Sequence, residues 1–264
     1  TMGSEIAMET TQPNFHTLRR LRQEARERFL AGRKAETQYA RQLREVAKQV
    51  GSIVRGLAPD GIVANVAQLI TTLNRYGDVL QPWAESVAAR MIADVSRRDA
   101  LAWEQHGKLI GQALKREIDQ APTGIAMRKA LADQVKLITS LPREAAERVH
   151  KLTLEGMLNG TRAKEIAAAI MDSGEVTKSR AMLIARTEVS RTATALTAAR
   201  AQYVGSTSYI WRTSKDGDVR PSHKKMEGKV VNWTEPPTLD DLVGHAGALP
   251  NCRCFVEPIL PDKF

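Results

Sequence analysis

Cysteine is nearly missing from this chain of 264 residues: Cys252 and Cys254 are its only two. A bridge between residues so close would be strained and would close almost no chain, so a disulfide scaffold is excluded and free thiols or metal ligands remain. Aromatic residues make up only 5%, which leaves the core to Ala, Leu, Ile and Val. Long apolar runs are absent too. The longest uncharged stretch, residues 61–74, contains Gln, Thr and Asn and is too short and polar to cross a bilayer. Residues 1–10 mix charged and small side chains, so no secretory leader is expected, and the expected setting is a reducing cytoplasm with no membrane partner. No phosphate-binding glycine loop, Gly-x-Ser-x-Gly or His-Glu-x-x-His occurs, which removes three familiar enzyme classes.

What is present is basic charge, 39 Lys and Arg against 30 Asp and Glu. Residues 19–48 alone hold ten basic and four acidic side chains. Arg19, Arg20, Arg22, Arg26, Arg33 and Lys34 are therefore candidate contacts to double-stranded DNA or an acidic protein surface, although a solvated helix face explains the same charges. Apolar positions at Leu18, Leu21, Ala25, Phe29, Ala35, Tyr39, Leu43, Val46, Val50, Ile53 and Leu57 step by threes and fours. That spacing predicts one long amphipathic helix. Gly32 and Gly51 are expected to bend or divide it, and Pro59-Asp60-Gly61 to stop it. Helices are expected next over about 62–80, and from Pro82 to about 118. Another should run from a Thr123 cap to Leu141-Pro142, read as a break, with a further one beyond it. Asn159-Gly160-Thr161 reads as a stop and a new cap, Ser173-Gly174 as the end of a short helix, and residues 175–203 as the last long helix.

Beyond residue 204 the texture changes. Six of the eleven prolines lie there, and the periodicity shifts toward two at residues 207–213, 229–233 and 254–257, which predicts three strands. The expected fold is mainly α: a helical N-terminal body, residues 1–140, and a small C-terminal α+β domain, residues 141–264, built from the final long helix and short strands. His16, His106 and His150 are scattered without ligand spacing. The C-terminal segment is denser in chemistry. His223, His245, Cys252 and Cys254 together form a sensible tetrahedral zinc set, although their spacing matches no familiar finger. A Cys252–His223 nucleophilic pair and a His223, Asn232, His245 nuclease set can be drawn from the same residues. No cofactor is expected apart from that structural zinc.

The order of these residues is more specific than their chemistry. Ile184-Ala185-Arg186-Thr187-Glu188 on the last helix is followed by Ala198-Ala199-Arg200 and Gly205, then by Tyr209-Ile210-Trp211-Arg212-Thr213. Asp218-Val219-Arg220-Pro221-Ser222-His223, Met226-Glu227-Gly228 and Pro250-Asn251-Cys252-Arg253-Cys254 complete the run. This series resembles the phage Mu F-like family of minor head, or head-morphogenesis, proteins over about residues 180–258. The resemblance implies a low-copy component of a tailed-phage or prophage head, associated with the portal protein and with capsid or scaffold proteins. It implies a place in the head interior or at the portal vertex, and in the host cytoplasm during assembly, with a role in packaging or delivery of DNA. It marks Arg186, Thr187, Glu188, Trp211, Asp218, Arg220, His223, Gly228, Asn251, Cys252, Arg253 and Cys254 as motif positions and supplies no catalytic step. A metal-dependent enzyme acting on nucleic acid is the alternative. Arg186 and Glu188 cannot face the same way on a helix. Glu188 is expected to pair with Arg191 locally, or to clamp the C-terminal cap through Arg220 or Arg253. Trp211 and Trp233 are expected in the core of that cap.

Overall fold

A computed structural model of the chain describes residues 15–58, 65–110 and 121–261, with side chains described outside 15–31 and 105–110. Six helices precede the cap: α1 Phe15–Gly56, α2 Val66–Val79, α3 Gln81–Ile110, α4 Thr123–Leu158, α5 Ala163–Met171 and α6 Ser173–Tyr203. The cap contains β1 Ser208–Arg212, the four-residue helix α7 Pro221–Lys224, β2 Val230–Asn232, β3 Thr238–Leu239, β4 Leu242–Val243 and β5 Phe255–Ile259. The fold is mainly α with a small α+β C-terminal region. No helix among the described residues is long and apolar enough to cross a membrane.

The stripe of α1 is buried as its spacing predicts. Ala35, Tyr39, Leu43 and Val46 enter a core shared with Val87, Met91 and Val95 of α3, Ile138 and Leu141 of α4, and Ile184, Ala185 and Val189 of α6. Farther along, Val50 and Val54 meet Leu69 and Leu73 of α2, Ala145 and Val149 of α4 and Ile170 of α5. Gly51 does not divide α1, which runs on to Gly56. A Cβ on Gly174 would stand 3.0 Å from the Gly51 Cα, so the two glycines let the backbones of α1 and α6 touch.

Several expected boundaries move. The Pro59-Asp60-Gly61 stop and the stretch from Gly111 to Ile118 lie outside the described residues. Helix α2 starts at Val66, where the Asn65 side chain accepts a hydrogen bond from the Gln68 N–H. Thr123 is the first residue of α4 rather than its cap, and neither it nor Thr161 makes a capping bond. Leu141-Pro142 does not break the chain: α4 passes straight through Pro142, and the boundary drawn at residue 140 falls inside it. Proline in a helix interior forfeits a hydrogen bond and costs about 3 kcal/mol. Here the ring is buried, and the hydroxyls of Thr139 and Ser140 donate back to the carbonyls of Val135 and Leu137. Packing on both sides of the proline outweighs its local preference. Ser173-Gly174 opens α6, following α5 after the single residue Asp172.

In the cap, β1 is the middle strand of an antiparallel sheet of order β2-β1-β5, with Trp211 opposite Val256 and Tyr209 opposite Val231. Alternation along β1 sends Tyr209 and Trp211 inward, where Trp233, Val204, Ala201 and Trp103 of α3 close the core. β3 and β4 form a separate hairpin whose two loop residues, Asp240 and Asp241, both have positive φ, the geometry of the hairpin turns that follow strand twist.

Candidate functional site

Helix α6 belongs to both the body and the cap. Its buried positions include Thr187, Glu188, Thr192, Thr194, Thr197 and Arg200, so it is held by hydrogen bonds as much as by apolar packing. Most of these buried polar groups find partners, as burial requires, although the hydroxyl of buried Ser173 has none. Arg200 pairs with Asp99 of α3, and the Thr197 hydroxyl donates to the same carboxylate at 2.6 Å. The Glu188 carboxylate accepts from Gln134 of α4 at 2.8 Å and from Arg191 at 2.7 Å. Gln134 in turn accepts from the Tyr39 hydroxyl of α1 at 2.7 Å. Burial, and after it the Glu188 charge, push the Tyr39 phenol far above its ordinary range.

The loop 250–254 docks onto this helix. Asn251 has a positive φ of 56°. Its N–H donates to the Thr187 hydroxyl at 2.9 Å, and its side-chain oxygen accepts from Arg186 at 2.9 Å. Arg186 also reaches Glu36 of α1 at 3.4 Å. The expected clamp through Arg220 or Arg253 is corrected: Glu188 uses Arg191, whose Nε donates to the Ala248 carbonyl of the cap at 3.0 Å. Arg220 instead donates to the Pro250 carbonyl at 3.0 Å. Arg253 reaches Asp216 at 3.0 Å and Asp218 at 2.6 Å. Both arginines thus brace the loop rather than the helix. Arg186 and Glu188 face apart, as a two-residue step on a helix requires.

Of the four residues read as a zinc set, three converge. His223 Nδ1 lies 3.4 Å from Cys252 Sγ and 3.6 Å from Cys254 Sγ. His245 is elsewhere: its Nδ1 meets the Tyr209 hydroxyl at 3.1 Å, and its ring stacks edge-on against Trp233. Asn232 faces solvent and bonds to Thr234, so the His223, Asn232, His245 set does not assemble. Both cysteines are buried free thiols. The Cys252 thiol is drawn down to about 6 by a hydrogen bond from the Cys254 side chain, against burial, with help from the N–H groups of Cys254 and Gly247 and the His223 charge. Cys254, as the donor and itself buried, is pushed far up.

Gly228 returns the chain to β1 at φ +80°, its N–H donating to the Trp211 carbonyl at 2.9 Å. Below it, Glu227 accepts from the N–H and hydroxyl of Thr213, each at 2.7 Å. Burial raises the Glu227 pKa, but those bonds and the charges of Lys215 and Arg212 hold it below the usual carboxylate range. Arg212 pairs with Glu257 across the sheet at 2.5 Å. Arg33 and Lys34 are exposed on α1, whereas the side chains of Arg19, Arg20, Arg22 and Arg26 lie outside the described residues. The sequence reading missed Tyr39, Gln134 and Ala248, which carry no motif and join the site only through tertiary packing.

The chain thus presents a long helix whose Arg186-Thr187-Glu188 step receives the loop Pro250-Asn251-Cys252-Arg253-Cys254. Residues 147–257 match the family described as phage Mu protein F like protein. Among its relatives is the minor head protein GP7 of Bacillus phage SPP1, 24% identical over 161 residues, or 54% of this chain and 52% of that protein. An uncharacterized protein of Haemophilus influenzae is 37% identical over 132 residues, 50% of this chain and 29% of the relative. One from Methanocaldococcus jannaschii is 34% identical over 106 residues, 40% and 16% respectively. The matched region therefore spans about half of the SPP1 protein and less of the other two. No solved structure matches the chain significantly.

Proposed function

We propose that this chain is a minor head protein of a tailed phage or prophage, acting through assembly contacts rather than catalysis. Its place in this reading is the head interior or portal vertex, and the host cytoplasm while heads assemble. Its partners are the portal protein, capsid or scaffold proteins and, through the basic residues of α1, double-stranded DNA during packaging or delivery. The observation that carries the reading is the alignment with the SPP1 minor head protein over 161 residues. The use of the motif residues agrees with it: Arg186, Thr187, Asn251, Arg220 and Arg253 are spent on joining loop to helix and on bracing the loop. The second reading, a metal-dependent enzyme on nucleic acid, is favoured by the convergence of His223, Cys252 and Cys254. Their burial argues for a structural use, and added divalent ions are expected to produce no nuclease activity.

Quantitative mass spectrometry of phage particles, before and after DNA ejection, tests the proposal. A few copies per particle, in constant ratio to the portal protein, are expected. Absence both from particles and from assembly intermediates would overturn it.

A further inference from the structure

We propose that His223 Nδ1, Cys252 Sγ and Cys254 Sγ form a zinc site that fastens helix α7 to the loop docked on α6. The three atoms lie within 4.8 Å of one another. Zinc bonds of about 2.3 Å to sulfur and about 2.0–2.1 Å to nitrogen, at tetrahedral angles, place S and N donors about 3.5 Å apart. The S···N separations here are 3.4 and 3.6 Å, so an ion enters with little movement of any donor. Two soft thiolates and an imidazole are the donor set that zinc selects over harder cations. Two thiolates also cancel the charge of the ion, which a buried site needs.

His223 itself points the same way. It is 2% exposed, its Nδ1 faces only sulfur, and its Nε2 has no hydrogen-bond partner. With Nε2 unpartnered and Nδ1 against sulfur alone, this buried imidazole is poorly provided for as a purely polar group. Ligation gives it a use. The three donors line a cavity of about 40 Å³ together with Ser214, Asp218, Arg220 and Arg253. That space holds a water-sized fourth ligand, so the site is Cys2His plus water and excludes His245. Both arginines on its rim already have acceptors, in Pro250 and in Asp216 and Asp218.

The test is the zinc content of the untagged full-length chain, purified under reducing conditions and passed through a weak chelator. About one zinc per chain is expected. Cobalt exchanged into the same protein should give thiolate charge-transfer bands and the intense visible bands of a tetrahedral site. Cys254→Ser and His223→Gln should bind roughly tenfold or more weakly, while His245→Gln should keep its metal. The cobalt spectrum of the unaltered chain serves even where a variant fails to fold. A folded, reduced chain that holds neither zinc nor tetrahedral cobalt would overturn the proposal, as would loss of metal from folded His245→Gln. Neither result bears on the head-protein reading, which the particle measurement decides.

Discussion

Asn251 sits in the left-handed backbone region that L residues avoid, and it spends both its N–H and its side-chain oxygen on Thr187 and Arg186. Asparagine tolerates that region better than most residues, while a Cβ without a polar head costs about 1–2 kcal/mol there. Asn251→Ala should therefore destabilise the fold more than Asn251→Gly, by about 1 kcal/mol, read from urea unfolding midpoints. The reverse order would show that the Arg186 bond, not the backbone, dominates. Glu188 is the other residue on which this end of α6 depends. Glu188→Ala strips buried Gln134 of an acceptor and should cost about 1–3 kcal/mol, with Glu188→Gln milder because it keeps an oxygen. Equal midpoints for Glu188→Ala and the unaltered chain would refute the network. Arg191 was legible as a partner because it lies three residues on, one helical turn away. Gln134 was not, being 54 residues distant and without any motif.

At the scale of elements, the close approach of α1 and α6 rests on Gly51 facing Gly174. Gly174→Ala would press its methyl carbon to 3.0 Å from the Gly51 backbone, and pushing two backbones apart should cost about 1–3 kcal/mol. Gly32→Ala meets nothing within 4 Å and should stabilise by up to about 1 kcal/mol through helix propensity. Thermal melts of the two variants should move in opposite directions. The pair also shows where sequence reading stops. Periodicity revealed α1 and the three strands of the main sheet, because burial on one face leaves a repeat, whereas α6 was bounded by its flanking glycines. Gly51 and Pro142 were read as breaks, because local propensity carries no record of what packs on the other side. The β3–β4 hairpin escaped notice since its turn is Asp240-Asp241 rather than a glycine pair, and its strands are two residues each. The loop-to-helix docking of 250–254 was visible only as an order of motif residues that resembles a family, without its geometry.

For the molecule as a whole, body and cap share α6, so stability in one is felt in the other. Burial lowers the His245 pKa, and the bonds from Thr213 lower that of Glu227. Groups whose folded pKa is depressed stabilise above their unfolded pKa and lose that stabilisation as pH falls through the interval down to the folded value. Melting temperature should therefore decline from about pH 6.5 as His245 is drawn to protonate, and again below about pH 4.3 as Glu227 does. Glu227→Gln should flatten the second decline alone, and an unchanged profile would remove Glu227 from the account. The proposed contact of α1 with DNA would carry its own signature. Six phosphate contacts from Arg19, Arg20, Arg22, Arg26, Arg33 and Lys34 correspond to a slope of about −5 in log affinity against log salt. Fluorescence titrations that show no salt dependence would dismiss the electrostatic contact. The pairing of α1 with α6 also has a cost in time. Leu43 and Ile184 share a core, yet they stand roughly 140 residues apart in the chain. At about 5–20 residues per second, the ribosome delivers the second of them roughly seven to thirty seconds after the first. During that interval the first helix has α2, α3 and α4 to pack against, while the strip that α6 will cover stays open.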